Sequence, residues 1–294
     1  METIQPINTR TFRQKMADYK KSPLSLVLFL LVTIGAIITV AVLLFLVGYI
    51  LIKGVPNLKP SLFAWEYNST NVSLMPALIN TILMTLLSLI IAVPFGVFSA
   101  IYLVEYAKRG NKLVDIVRIT AETLSGIPSI VYGLFGMLFF VTTLGWGMSL
   151  LSGAFTLAIM ILPLVMRTTE EALKSVPDSY REGSFGLGAG RLRTVFTIVL
   201  PSAVPGILAG VILAVGRIVG ETAALIYTAG TVAKVPSGAD FLLDSTRTLS
   251  THMYVLSSEA LHTDAAYATA VVLLVIVVAI NALSAFIAKK IAKG

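Results

Sequence analysis

Long uncharged apolar runs constrain this chain more than any other feature of its sequence. The run from Leu24 to Leu51 contains 28 residues without Asp, Glu, Lys or Arg. A helix needs about 20 apolar residues to cross the ~30 Å hydrocarbon core of a bilayer. The whole chain is 56% hydrophobic and 13% charged, whereas soluble domains carry about 25% charged residues. The sequence therefore predicts an all-α integral membrane protein.

Six hydrophobic runs, not all of them free of charge, predict six transmembrane helices. The first follows a tail at residues 1–23 and covers 24–51, which is too long for the roughly 7 to 15 apolar residues of a cleavable signal peptide. The other five form a core at 75–288, and we expect them at residues 75–102, 121–141, 150–166, 204–224 and 266–287. This core includes an outer loop at 226–265, and a second tail follows at 289–294.

The basic residues divide unevenly between the two sides of these spans. Of the 22 Lys and Arg residues, 17 lie in the tails, the link at 103–120 and the segment 167–201, and four lie in the opposite segments. Cytoplasmic segments are enriched in Lys and Arg, so we expect a multi-pass inner-membrane protein with both termini cytoplasmic. The scatter also argues against nucleic acid as a partner, despite a net charge of +7.

Metal binding is not predicted. The chain has no cysteine, and its two histidines, His252 and His262, lie in one polar loop. No acidic residue accompanies them in a ligand spacing, so we expect both histidines at the solvated surface.

The polar segment 168–201 predicts a helix, a glycine turn and a second helix. Ser179 and Glu182 have the spacing of a capping box. Gly186, Gly188 and Gly190 supply backbone freedom for the turn. The second helix would cover Arg191 to Leu200 and end at Pro201, because proline cannot donate a backbone hydrogen bond. On these residues alone, an ordinary amphipathic connector is an equal alternative.

The motif Glu182-Gly183-Ser184, Gly188, Ile198 and Leu200-Pro201 resembles the loop shared by permease subunits of bacterial ABC importers. The family pattern is Glu-Ala-Ala, three residues, Gly, nine residues, Ile, one residue, Leu-Pro, so this chain departs from it only at Gly183 and Ser184. The resemblance implies a MetI-like permease core with a cytoplasmic coupling helix, where Tyr180 to Gly190 docks on an ATP-binding subunit. The implied coupling residues are Tyr180, Arg181, Glu182, Gly183, Ser184, Gly188, Leu200 and Pro201.

The chain lacks the Gly-x4-Gly-Lys-Ser/Thr loop that binds ATP phosphates. We therefore expect no catalytic site and no cofactor in this chain, with ATP and Mg bound by partner subunits. Hydrolysis would then occur in those partners.

Two charges fall within or near the fifth span. Arg217 and Glu221 are four residues apart, so on a continuous helix they would share one face and pair. Charges inside a membrane are costly and mark functional hypotheses. Two alternatives are open: a neutralised structural ion pair, or an anion contact in which the guanidinium fork binds oxyanion oxygens. Ser129 is a third candidate residue for the substrate path, because the helix is interrupted just before it and an interrupted helix can aim its N-terminal amides at an anion. A simple bend explains that break equally well.

Three further segments narrow the resemblance. Residues 216–223 (GRIVGETA), 126–133 (GIPSIVYG) and 252–254 (HMY) are similar to the membrane subunits of the phosphate-specific ABC importer, in particular the second of its two homologous permeases. That resemblance implies phosphate import as half of an alternating-access path. The implied partners are a homologous permease in a heterodimer, two ATP-binding subunits, an extracytoplasmic phosphate-binding protein and membrane lipid.

Three alternative functions are weighed against phosphate import. Another oxyanion, such as sulfate, molybdate or a phosphonate, would use the same architecture. A self-contained secondary carrier or channel would use Arg217 and Glu221 as its site, and a membrane anchor for a signalling complex would need neither.

Overall fold

A computed structural model of the chain describes residues 22–108 and 110–291, without the side chains of 284 and 287–291. The described residues form helices and turns, with no strand among them. Compact packing divides the chain at Ile52 into a first unit, 1–52, and a second unit, 53–294. The predicted N-terminal tail, except residues 22 and 23, lies outside the described residues, as do 292–294 of the C-terminal tail.

The first unit is described from Ser22 and consists chiefly of α1 (Pro23–Gly54), whose last two residues belong to the second unit. Its apolar side chains are exposed almost throughout, which suits a helix surrounded by lipid. The hydroxyl groups of Thr33 and Thr39 donate to the carbonyls four residues earlier, at 2.7 and 2.9 Å. These bonds satisfy the polar atoms within the helix itself, as hydrocarbon requires.

The second unit contains the remaining helices. In chain order they are α2 (Met75–Ile101), α3 (Lys112–Ser125), α4 (Ser129–Gly136), α5 (Leu150–Lys174), α6 (Asp178–Gly186), α7 (Arg191–Thr194), α8 (Leu200–Gly220), α9 (Ala223–Thr228), α10 (Leu249–Ser258) and α11 (Thr263–Ile291). Wider π-helical turns extend α2 over Tyr102–Tyr106, extend α4 over Met137–Thr143, and join α7 to α8 over Val195–Val199. Residues 289–291 of the expected C-terminal tail are the last residues of α11.

Five helical segments of the described chain are long and apolar enough to cross a membrane. They are Pro23–Asn57, Met75–Tyr106, Leu150–Lys174, Arg191–Gly220 and Thr263–Leu283. The expected third span, 121–141, is instead divided between α3 and α4 with its π extension, which meet at 101°. Pro128 precedes α4 with an extended backbone, ψ 139°, because proline favours the first turn of a helix but not its interior. The count of six holds if this bent pair crosses as one span.

Helix α5 lies at the centre of the second unit, between α2 and α8. Small residues allow this close packing: a Cβ added to Gly96 of α2 would lie 2.8 Å from Val165. A Cβ added to Gly210 of α8 would lie within 2.6 Å of the Thr168 Cβ. Glycine at such positions lets membrane helices approach to van der Waals distance. The ends of α2, α5 and α8 that lie nearest α6 are thereby held together.

The prediction that the second cytoplasmic helix ends at Pro201 is wrong. The chain remains helical from Arg191 to Gly220, with Pro201 near the start of α8. Near a helix start the missing N–H of proline removes few intrahelical hydrogen bonds. The π turn just before it accommodates the changed pairing.

The outer segment after α9 packs back on the unit, and the expectation of a solvated His252 is wrong. His252 lies in α10 with no exposed surface, and its Nδ1 is 3.3 Å from Nη1 of Arg247. Arg247 donates to the Thr231 carbonyl at 2.7 Å and stacks over Tyr67 at 5.4 Å. Burial, reinforced by the Arg247 charge, lowers the pKa of His252 to about 4. The imidazole is therefore neutral at physiological pH.

Candidate functional site

The predicted glycine turn is confirmed, and its geometry is that of a Schellman motif. The amide of Gly188 donates to the Phe185 carbonyl at 2.9 Å, and the amide of Ala189 donates to the Ser184 carbonyl at 3.1 Å. Gly188 has φ +82°, a left-handed conformation in which glycine is strongly favoured. Gly186 ends α6, and Gly190 has an extended backbone, ψ 163°, before α7. Gly188 is thus the residue that the turn requires.

The predicted capping box is wrong. Helix α6 begins at Asp178 with Pro177 as its N-cap, and no side chain caps it. Ser179 is already the second helical residue, so its hydroxyl lies past the position from which a serine caps. Glu182 is exposed and forms no ion pair among the described residues.

Arg181 holds α6 in place. Its Nε and Nη2 donate to Glu105 Oε1 at 3.2 and 2.7 Å, and its Nη1 and Nη2 donate to the carbonyls of Val176 and Leu173 at 2.8 and 2.9 Å. Nη1 also lies 3.2 Å from Asp178 Oδ1. Since a guanidinium has five N–H donors, these contacts use its full capacity. The side chains of Arg181 and Glu105 are 15% and 8% exposed.

Gly183 and Ser184, the two residues that depart from the family pattern, have different surroundings. Ser184 is buried, and its Oγ lies 2.8 Å from Thr194 Oγ1, which joins α6 to α7. Gly183 faces open space, with nothing within 4 Å of an added Cβ. Only the serine therefore contributes a contact that the alanine of the family pattern would lack.

Large apolar side chains of the turn are exposed. Tyr180 and Phe185 are about half exposed, and Leu187 is 91% exposed. Exposed apolar groups clustered beside polar ones are typical of protein interaction sites. A groove of about 750 Å³ adjoins this surface between α6, the end of α2 and α3. The other two motif residues, Leu200 and Pro201, lie at the start of α8, outside this surface.

Arg217 and Glu221 form no ion pair, so of the two alternatives left open by the sequence the structural ion pair is wrong. Helix α8 ends at Gly220, and Glu221 has an extended backbone, ψ 129°. Spacing of four residues places side chains on one face only while the helix continues. The Glu221 carboxylate instead accepts from the amide of Ala224 at 3.1 Å, and its carbonyl accepts from Ser250 Oγ at 2.6 Å. Glu221 thus fixes the start of α9.

Arg217 borders a cavity of about 520 Å³ between α3, α5 and α8. No carboxylate of residues 22–108 and 110–291 lies within ion-pair distance of its guanidinium. The other cations lining the cavity are paired, with Arg118 2.8 Å and Lys174 2.6 Å from Glu170. Arg167 lies 3.3 Å from Glu171. Among the described residues that line this cavity, Arg217 is therefore the cation without an acidic side chain within ion-pair distance.

The three predicted path residues do not share one site. Ser129 is half-buried at the first position of α4, and the cavity of Arg217 reaches Ser125 and Glu122 on the other side of the bend. Sequence reasoning missed the ion pairs of Glu170. The spacing of Glu170 and Lys174, four residues apart in a helix, was a signal for one of them.

The fold and this arrangement define a multi-pass helical membrane protein in which a short polar helix, α6, is held against the ends of the long helices α2 and α5. Residues 92–293 match the family described as "Binding-protein-dependent transport system inner membrane component". The chain belongs to that family. This membership confirms the prediction that the chain is an inner-membrane permease component of an ABC transporter, a family of subunits without a catalytic site of their own.

Named relatives cover part of the chain. It is 41% identical over 202 residues to "Probable ABC transporter permease protein YqgI" of Bacillus subtilis, covering 66% of this chain and 67% of that protein. It is 36% identical over 203 residues to "Phosphate transport system permease protein PstA 2" of Mycobacterium bovis, covering 69% and 66%. For "PstA 1" of Mycobacterium tuberculosis the identity is 39% over 154 residues, covering 52% and 50%. The chain thus spans half to two thirds of these relatives.

Solved structures show the same fold. A bacterial ABC transporter for the import of alginate aligns with a TM-score of 0.60 at 19% identity, covering 93% of this chain and 99% of that one. The MetNI methionine ABC transporter aligns with a TM-score of 0.57 at 18% identity, covering 83% and 97%. The predicted MetI-like permease core is therefore confirmed.

Proposed function

We propose that this chain is a permease subunit of an ATP-driven importer of inorganic phosphate and forms half of an alternating-access path. The observation that carries the proposal is the uncompensated guanidinium of Arg217 at the inward cavity. Phosphate supplies the negative charge that this site lacks, and its oxygens suit the fork of an arginine. The names of the phosphate permeases among its relatives support the same substrate.

The proposed importer includes partner subunits. Helix α6 with its exposed Leu187 presents a compact apolar face for one of two ATP-binding subunits, which hold ATP and Mg. A homologous permease completes the path as a heterodimer within the lipid bilayer, and an extracytoplasmic phosphate-binding protein delivers the anion. The excess of basic residues on one side of the spans supports a cytoplasmic location of both termini.

Each path residue has a different part in this proposal. Arg217 contacts the anion in the membrane. Glu221 positions α9 through the Ala224 amide, so it shapes the outer end of the path rather than neutralising Arg217. Ser129 lies at the start of α4, where its hydroxyl can contact the anion in another state of the path.

Uptake into proteoliposomes tests the proposal. The chain is purified with its co-expressed neighbouring subunits, and ATP-dependent uptake of radioactive phosphate is measured with sulfate, molybdate or phosphonate as competitors. We expect Arg217→Gln to reduce uptake by about tenfold to 100-fold, the range for a hydrogen bond to a charged group. Arg193→Gln, an exposed cation of α7, is the matched control and should retain uptake.

Three outcomes would contradict this function. Preferential uptake of a competitor would reject phosphate as the substrate. Transport by the chain alone would reject the importer assembly. Full uptake by the Arg217 variant would remove the proposed anion contact.

A further inference from the structure

The contacts of Arg181 join α6 both to α5, its neighbour along the chain, and to α2, to which no direct chain connection joins it. Helix α6 is linked through 175–177 to α5 and through 187–190 to α7. Helix α2 is far from α6 in the sequence, and Glu105 in its π-helical extension is 76 residues from Arg181. The bonds to Glu105 therefore connect α6 to α2 directly.

The same guanidinium binds the end of α5. Leu173 contributes its carbonyl from the last turn of that helix, where carbonyl groups lack i+4 partners, and Val176 contributes its carbonyl two residues past the helix end. A cation there also interacts favourably with the negative end of the helix dipole. The side chain thus bonds the ends of α2 and α5 while its own backbone belongs to α6.

We propose that Arg181 is a positioning residue that makes α6 and the cytoplasmic ends of α2 and α5 move as one unit. Movement of the coupling helix then reaches α2 directly, in addition to the two spans that the loop connects. The inference rests on the proposed coupling function and deepens it by naming the residue that carries movement into the second span.

Arginine is required for this arrangement because of its shape. Lysine carries three donors on one nitrogen, which cannot reach the carboxylate and both carbonyls together. The low exposure of the Arg181–Glu105 pair also distinguishes it from Arg167–Glu171, whose side chains are 61% and 66% exposed. Exposed pairs contribute little to stability, whereas loss of one partner of a buried pair leaves the other charge uncompensated.

Distance measurements between spin labels test the inference. This chain contains no cysteine, so the only thiols it carries are the introduced ones, and the complex with the unsubstituted chain measures any background from the partner subunits. One pair joins Ser179→Cys on α6 to Phe98→Cys on α2, and a reference pair joins Ser179→Cys to Leu261→Cys on the outer segment. All three positions are exposed. Distances are measured in the purified complex, nucleotide-free and ATP-bound, with uptake and ATP hydrolysis measured in parallel.

In the parent complex we expect the α6–α2 distance to be the same in both nucleotide states while the reference distance changes. In Arg181→Lys the α6–α2 distance should depend on nucleotide. Uptake per ATP hydrolysed should fall about tenfold, within the range of coupling between two sites. Arg193→Lys, an exposed cation of α7, should behave as the parent. Glu105→Gln keeps the size of its side chain, and its α6–α2 distance should also depend on nucleotide, to a smaller extent. This second variant tests the inference if the Arg181 variant does not fold.

Two results would overturn the inference. The first is an α6–α2 distance in the parent complex that already changes with nucleotide. The second is parent behaviour in both Arg181→Lys and Glu105→Gln. A complex with the expected distances that does not take up phosphate would instead reject the proposed substrate and leave the role of Arg181 standing.

Discussion

Replacement of Gly188 by alanine tests the turn that ends α6, the proposed coupling helix. A Cβ at this position meets nothing within 4 Å, so the cost comes from the backbone alone. A left-handed conformation costs an L-residue about 1 to 2 kcal/mol, which is a factor of about 5 to 30 in the population of the intact motif. Gly186→Ala is the matched control. Gly186 is also in open space but ends α6 without a positive φ, so alanine there should stabilise by about 0.5 to 1 kcal/mol.

Hydrogen exchange of the purified chain in lipid nanodiscs measures this difference. The amides of residues 188 and 189 close the motif, and their exchange should accelerate by about 5- to 30-fold in Gly188→Ala. It should slow in Gly186→Ala. ATP-driven uptake should fall in the first variant, because fewer molecules present the intact turn to the ATP-binding subunit. Unchanged exchange in Gly188→Ala, or equal acceleration in both variants, would refute this account of the turn.

Two further predictions concern the pair Arg217 and Glu221 and the buried imidazole of His252. The double variant of Arg217→Gln with Glu221→Gln should recover neither the thermal stability nor the uptake lost in the single variants. Its change in stability should equal the sum of the two single changes within about 0.5 kcal/mol, because the two side chains make no contact. Recovery in the double variant would instead be evidence that the two side chains form an ion pair. For His252, a pKa held at about 4 in the fold against about 6.5 unfolded leaves stability intact above pH 6.5. As the pH falls from 6.5 to 4 the unfolded chain binds the proton first, which costs about 3 kcal/mol. Thermal unfolding across this range should show that loss, and His252→Gln should not.

The spans and the glycine turn were predictable because both depend on local properties. Crossing a bilayer sets a minimum length of apolar residues, and the run from Leu24 to Leu51 exceeds it. A left-handed position at a helix end favours glycine, and Gly188 occupies it. Neither feature depends on which helices become neighbours.

The errors concern contacts between distant residues. Glu221 leaves the helix where Ser250, 29 residues later, binds its carbonyl. Arg181 caps α5 and pairs with Glu105, so no capping box is needed to place α6. His252 is buried because Arg247 and Tyr67 pack against it. Spacing along the sequence carries no record of these partners.

The bend between α3 and α4 has an electrical consequence. Only the 15 residues from Ser129 to Thr143 follow the bend, and at 1.5 Å per residue they rise about 22 Å, less than the ~30 Å hydrocarbon core. The cavity on the other side of the bend reaches Arg217, so we expect water in it to shorten the insulating layer and the membrane voltage to fall mainly between Arg217 and the far end of this segment. An elementary charge crossing the full voltage changes energy by about 2.3 kcal/mol per 100 mV. We therefore expect the voltage to oppose the entry of an anion chiefly before it reaches this guanidinium, and little on its way out to the cytoplasm.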